Sequence, residues 1–179
     1  MPSHSPSARL WAILPAAGSG SRFSAHTTKQ YLSILGQTVM QHSVNRICQL
    51  PLAGCVLAIR PDDTLANTLP FEQPGLLHWV HGGKERMDSV LSGLVYLQDK
   101  AQPDDWVLVH DVARPCIQHA ELQRLVTELA DNPVGGLLAA PVRDTLKRVV
   151  GGVVEKTVSR EQLWQCQTPQ MFRYALLLQ

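Results

Sequence analysis

Residues 10–14 are continuously apolar and stop at Pro15-Ala16-Ala17-Gly18, which predicts a buried first strand entering a tight loop. Residues 38–50 place Val39, Met40, Ser43, Val44, Ile47 and Leu50 at helical spacing behind a candidate cap, Thr38. Apolar runs at 55–59, 76–80, 106–109 and 136–140 predict four more strands, the second stopped by Arg60-Pro61-Asp62-Asp63. Helices are expected between them at 85–97, with Met87, Val90, Leu91, Leu94 and Val95 as the apolar face, and at 121–130. Strands that alternate with helices predict an α/β fold, a doubly wound, mostly parallel sheet covered on both faces. In such sheets ligands bind beyond the carboxyl ends of the strands. Here those ends are residues 16–22, 81–84 and 110–114.

The alternation breaks after Pro141. Residues 145–150 and 153–158, joined by Gly151-Gly152, read as a β-hairpin with a two-glycine turn. A hairpin has no place in a parallel core, so it is either an edge decoration or an arm, spanning 141–160, that packs on another subunit. Residues 171–178 read as the start of an apolar helix. A domain seldom ends inside an apolar stretch, so the sequence is expected to belong to a single domain over 1–179 that continues further. Residues 1–8, rich in Ser and Pro, read as a frayed tail.

The chain has 179 residues, 45% of them hydrophobic and 17% charged, and a formal net charge of +1. This suits one globular domain and gives no electrostatic argument for nucleic acid or an acidic membrane; an anionic ligand must be held by a local site. The four cysteines lack C-x-x-C or metal-ligand spacing and read as buried small hydrophobes of a reducing compartment. Arg9 and the apolar run after it are too short for a secretory signal and are broken by Pro15, so a cytoplasmic location is expected.

Four segments carry candidate chemistry. Pro15-Ala16-Ala17-Gly18-Ser19-Gly20-Ser21-Arg22 follows the first strand, where small residues let backbone N–H groups wrap a phosphate. It is neither a Walker loop nor a complete G-x-G-x-x-G, since Phe23 stands at the last position. Arg22 and Lys29 add the cations that a transferring phosphoryl group requires, although either alone would pass for a solvated surface charge. Gly82-Gly83-Lys84-Glu85-Arg86-Met87-Asp88-Ser89 opens a helix on the same rim, with Asp88 better read as a cap. His110-Asp111-Val112-Ala113-Arg114-Pro115 ends the fourth strand. Its carboxylate suits ribose hydroxyls or a magnesium ion, and Arg114 is an anion donor. His110 reads as buried rather than catalytic. Arg143, Asp144, Thr145, Ser159, Arg160 and Thr168 flank the hairpin and could bind a second phosphate.

Taken together, P-A-A-G-x-G-x-R, K-Q-Y, G-G-x-E-R-x-D-S-V, H-D-x-A-R-P, P-V-R-D-T-x-K, T-V-x-R and T-P-Q resemble, in order and along essentially the whole chain, the methylerythritol phosphate cytidylyltransferases. The resemblance implies a Rossmann-like nucleotidyltransferase fold and transfer of CMP from CTP, with Mg²⁺, to methylerythritol phosphate in non-mevalonate isoprenoid synthesis. It implies that Ala16, Ala17, Gly18, Ser19 and Gly20 wrap the nucleotide and that Arg22 and Lys29 stabilise the pentavalent transition state. Gly83 and Ser89 would read the cytosine and Asp111 would sit at the ribose and second substrate, with a metal role also open to it. Arg114, Thr145, Arg160 and Thr168 would hold the acceptor, several of them in the neighbouring subunit's site, since the hairpin is a dimerisation arm in the family. No nucleic acid or membrane partner is implied.

Three departures from the family pattern stand out. Thr28 replaces a customary proline, with a small loop change expected. Lys84 stands where an acid is common. The family's further T-D-E-A-S and N-x-K-x-T segments, the latter with an acceptor-binding lysine, are not in this sequence. The competing readings are a cytidylyltransferase for another polyol phosphate such as ribitol 5-phosphate, a nucleotidyltransferase for another base, and a non-catalytic nucleotide-binding module.

Overall fold

The computed structural model describes residues 8–18 and 28–179. Strand β1, Leu10–Pro15, runs at the centre of a six-stranded sheet. A small hairpin of β2, Ser33–Ile34, and β3, Gln37–Thr38, leads into helix α1, Val39–Ile47. Strand β4, Leu52–Ile59, and strand β5, Leu77–His81, precede helix α2, Arg86–Tyr96. Strand β6, Trp106–Val109, helix α3, His119–Leu129, and strand β7, Gly135–Pro141, follow. The chain then forms the separate hairpin of β8, Leu146–Val150, and β9, Val153–Val158, before strand β10, Trp164–Arg173, and the one-turn α4, Tyr174–Leu177.

The sheet order is β5-β4-β1-β6-β10-β7. Strands β5, β4, β1 and β6 are parallel, and β10 is antiparallel to both its neighbours. The mostly parallel, doubly wound sheet expected from the sequence is therefore present. Along β1 the side chains alternate between two cores, as the two-residue strand period demands. Leu10, Ala12 and Leu14 join Met40, Val44, Leu122 and Leu125 on one face, while Trp11 and Ile13 join Leu94, Leu97 and Tyr174 on the other. Helix α1 begins where it should: the Thr38 hydroxyl accepts from the Gln41 N–H at 3.2 Å and the Gln41 side chain accepts from the Thr38 N–H at 2.9 Å, a reciprocal capping box.

Three expectations are corrected. Residues 171–178 are not a helix: through Arg173 they belong to β10, and only Tyr174–Leu177 turns helical. A short apolar run satisfies either period, and pairing between β6 and β7 decides it. The apolar face assigned to α2 is also displaced. Leu94 is buried, but Met87, Leu91 and Val95 are exposed at 76%, 50% and 54%. The helix seats on the sheet through Val90 and Leu94 of that face, together with small residues. Ser89 and Gly93 are buried, and a Cβ on Gly93 would lie 2.7 Å from Ile13 Cγ2, so only glycine allows this approach. Finally, all four cysteines are unpaired, but only Cys48 and Cys55 are buried; Cys116 and Cys166 are exposed.

Away from the ligand-facing edge, Asp105 ties β1 to β6. It is 3% exposed. Its Oδ1 accepts from the Arg9 N–H at 2.9 Å, and its Oδ2 from Trp11 Nε1 and the Gln102 N–H, each at 3.0 Å. Burial opposes its ionisation, but these N–H donors and the Arg9 side chain outweigh burial and hold the carboxyl below its ordinary range. The depressed value makes this stability present above the unfolded carboxyl's pKa of about 3.9 and lost as pH falls through the folded one. Asp105→Asn should cost about 1–3 kcal/mol in urea unfolding at pH 7, with the gap to wild type closing below about pH 4. A gap that persists unchanged in acid would show that the charge is irrelevant.

Candidate active site

The loops after β1 and β5 are each locked to the end of β4: the Ala16 N–H donates to Ala58 O at 2.8 Å, and the Gly82 N–H to Ile59 O at 2.7 Å. A Cβ on Gly82 would fall 2.6 Å from Ala17 Cβ and 2.7 Å from Ser89 Oγ, so a glycine here lets the β1 loop, the β5 loop and the first turn of α2 converge. That turn is closed by a second reciprocal cap. The Glu85 side chain accepts from the Asp88 N–H, and Asp88 Oδ2 accepts from the Glu85 N–H at 2.9 Å. Asp88 is a capping residue, as the sequence suggested.

Lys29 is placed by its neighbours. It opens a single 3-10 turn, Lys29–Tyr31, in which buried Gln30 donates from Nε2 to Ala16 O at 2.8 Å and the Tyr31 hydroxyl donates to Asp63. The K-Q-Y triplet thus carries one cation followed directly by two anchors. Thr28 holds φ at −70°, the value a proline would impose, so its backbone already has the shape the customary residue gives.

At the end of β6, His110 is fully buried and its two ring nitrogens are both used. Arg114 O can only accept, so the Nε2–H donates to it at 3.0 Å; Nδ1 then accepts from the Thr168 hydroxyl at 3.1 Å. The Thr168 oxygen in turn accepts from the Asp111 N–H at 3.3 Å. One buried relay therefore fixes the backbone at Asp111 and Arg114 against β10. Asp111 extends its carboxylate between two arginines: Arg86 Nε on Oδ1 at 2.7 Å, Arg114 Nε on Oδ2 at 3.1 Å.

These segments enclose a cleft of about 910 Å³ over the carboxyl edge of the sheet. Of the residues singled out in the sequence, Ala16, Gly18, Lys29, Ser89, Asp111 and Arg114 line it. Ala17 lies beside Gly82, Gly83 lies against Asp88, and Thr168 is buried behind Asp111. Thr145 and Arg160 are not in the cleft. Both are exposed at the base of the hairpin, where Arg160 Nη1 donates to Arg143 O. Ser19, Gly20 and Arg22 lie outside the described residues. Lys84, Glu85 and Arg86 also line the cleft. Sequence reasoning assigned Arg86 no role; its signal is a cation in the first turn of a helix, where a cation opposes the dipole.

Among the described residues no group of three or more His, Cys, Asp or Glu side chains is gathered to hold a metal. The carboxylates that line the cleft are Glu85 and Asp111. No helix of the described residues is long and apolar enough to cross a membrane.

A mostly parallel, doubly wound sheet with a glycine-lined, cation-bearing cleft at its carboxyl edge defines a nucleotide-handling transferase. The family model for 2-C-methyl-D-erythritol 4-phosphate cytidylyltransferase matches residues 10–179. The chain is 52% identical over 170 residues to the 2-C-methyl-D-erythritol 4-phosphate cytidylyltransferase of Acinetobacter baumannii (strain SDF), covering 94% of this chain and 71% of that protein. A crystal structure of 4-diphosphocytidyl-2C-methyl-D-erythritol synthase superposes with a TM-score of 0.82 at 34% identity, over 96% of this chain and 77% of that one. The Francisella tularensis 2-C-methyl-D-erythritol 4-phosphate cytidylyltransferase follows at 0.78 and 29%, over 94% and 74%. The chain belongs to the 2-C-methyl-D-erythritol 4-phosphate cytidylyltransferase family.

The His110 relay makes a prediction about acid. Burial first, and secondarily the nearby Arg114 charge, push the imidazole pKa below its ordinary value against the bonds it makes. The folded ring stays neutral while the unfolded one protonates below about pH 6.5, so stability is lost as pH falls from there towards the folded pKa. His110→Asn should cost about 1–3 kcal/mol at pH 7 and flatten the loss between pH 6.5 and 5. An unchanged slope in urea titrations at those pH values would refute the buried neutral ring.

Proposed function

We propose that the cleft catalyses transfer of CMP from CTP to 2-C-methyl-D-erythritol 4-phosphate, releasing pyrophosphate. The observation that carries this reading is the convergence of Gly18, Lys29, Ser89, Asp111 and Arg114 on one cleft, in a chain of this family. An oxygen of the acceptor phosphate attacks the α-phosphorus of CTP; that P–O bond forms as the bond to the β-phosphate oxygen breaks, and pyrophosphate leaves with the electron pair. The nucleophile is already anionic at neutral pH, so no general base is required. What the protein supplies is in-line placement and positive charge.

In this reading the β1 loop, Ala16 to Gly20, cradles the triphosphate. Lys29, pinned in its 3-10 turn, and Arg22 stabilise the charge that gathers on the α-phosphate. Ser89 and Gly83 face the cytosine, Asp111 the ribose, and Arg114 the acceptor, with Thr168 bracing Asp111 from behind. Mg²⁺, carried by the CTP phosphates with Asp111 in support, would neutralise the charge on the leaving pyrophosphate. Thr145 and Arg160 reach an acceptor only if the hairpin crosses to a second subunit. Its exposed Val149, Val150, Val153 and Val154, unsupported by the main sheet, favour that arrangement and a homodimer. Four unpaired cysteines suit a cytoplasmic enzyme.

The test is pyrophosphate release from Mg·CTP with methylerythritol phosphate and ribitol 5-phosphate offered separately. Turnover with the first alone is expected; turnover only with the second would move the enzyme to a different polyol phosphate, and none with either would leave a nucleotide-binding module. Arg22→Ala and Lys29→Ala should each lower kcat by roughly 100-fold or more while changing CTP affinity far less, because their contacts strengthen in the transition state. An unchanged kcat would remove the assigned role. Val149→Asp with Val153→Asp should yield monomers in sedimentation; a persistent dimer would place the interface elsewhere.

A further inference from the structure

Asp111 is divided between two arginines from different elements. Arg86 opens α2 and takes Oδ1 through Nε at 2.7 Å; Arg114, in the loop after β6, takes Oδ2 through Nε at 3.1 Å. The arrangement is not explained by stability. The arginine side chains are 46% and 56% exposed, a setting in which ion pairs contribute little. Nor is Arg86 favoured locally, since the first turn of α2 already has its cap in Glu85 and Asp88, and a cation there opposes the helix dipole. Local rules broken without a stabilising return mark functional positions.

The consequence lies in how a carboxylate meets a guanidinium. Given a single arginine, both carboxylate oxygens take up its fork in a bidentate pair. With Arg86 on Oδ1, Arg114 makes only its Nε contact, and among the described residues the Nη groups of Arg114 make no hydrogen bond. The Arg114 backbone is held separately by His110. The result is an oriented guanidinium on the cleft wall whose Nη groups remain available to an anion.

We propose that Arg86 is a further positioning residue for CMP transfer: by occupying Oδ1 of Asp111 it prevents Arg114 from closing into a bidentate pair, and so keeps Arg114 ready for the phosphomonoester dianion of the acceptor. The proposal rests on the CMP-transfer reading above. It is distinct from a nucleotide contact of Arg86 itself, because Arg86 acts through Asp111 on Arg114, the acceptor-side residue.

The experiment uses the full chain. Pyrophosphate release by wild type comes first, since its absence would overturn the CMP-transfer reading itself. With wild type active, Arg86→Gln is compared for acceptor KM, kcat and CTP Kd, the last by calorimetry. The acceptor KM should rise on the order of tenfold, the size typical of a residue acting through another, with CTP Kd shifting no more than about twofold. In the Asp111→Asn background, where no carboxylate can capture Arg114, adding Arg86→Gln should cost nothing further. An unchanged acceptor KM, a CTP Kd that weakens in step, or a full Arg86→Gln effect persisting in Asp111→Asn would each overturn the proposal. Should Arg86→Gln fail to fold, Arg86→Lys, which retains charge but not the Nε geometry, is read by the same comparisons.

Discussion

The site depends on one strand running the wrong way. Strand β10 inserts antiparallel between β6 and β7, with Gln170 opposite Val109, so the residues just before it return to the carboxyl edge where the parallel strands end. That return puts the Thr168 hydroxyl between the His110 ring and the Asp111 N–H. A parallel strand in this place would have carried its leading residues to the opposite edge. The cleft wall formed by Asp111 and Arg114 is therefore built by a long-range pairing, 58 residues apart in sequence, between His110 and Thr168.

Most of the sheet was legible because its strands are buried on both faces. Continuous apolar runs bounded by Pro, Gly and Asp leave little else for residues 10–14 or 106–109 to be, and Thr38 as a candidate cap marks the start of α1. The failures share a cause. Residues 171–178 were read as a helix because a run of eight fits either period, and only the unfilled space between β6 and β7 selects a strand. Large side chains suggest one face for α2, whereas the helix meets Ile13 of β1 at Gly93 and the loop after β5 at Ser89, residues whose value lies in being small. Hydrophobicity finds which helix is amphipathic but not which stripe a neighbouring strand can approach.

The candidate site divides in the same manner. Ordered motifs pointed to Lys29, Ser89, Asp111 and Arg114, and the fold gathers them on one cleft. The motifs did not disclose why Gln30 and Tyr31 accompany Lys29, or that Arg86 reaches Asp111 25 residues away. Such partners are invisible in a sequence because they are set by the crossing of elements rather than by spacing along one. The net charge of +1 conceals the same fact: Lys29, Lys84, Arg86 and Arg114 share one rim, against Glu85 and a carboxylate already divided between two arginines.

The chemistry proposed for this cleft also has to accommodate what His110 cannot do. A histidine beside an aspartate at a strand end invites the role of general base, yet the ring is fully buried, both nitrogens are engaged and burial keeps it neutral. A base must be able to take a proton from the reacting group and carry the resulting charge; this ring is walled off from the cleft by the residues it positions. The reaction that fits such a site is one whose nucleophile arrives deprotonated, as a phosphate oxygen does, and whose barrier lies in bringing anions together. In that proposal His110 braces the Arg114 backbone, the cations on the rim neutralise the gathering charge, and no proton has to be removed from the nucleophile.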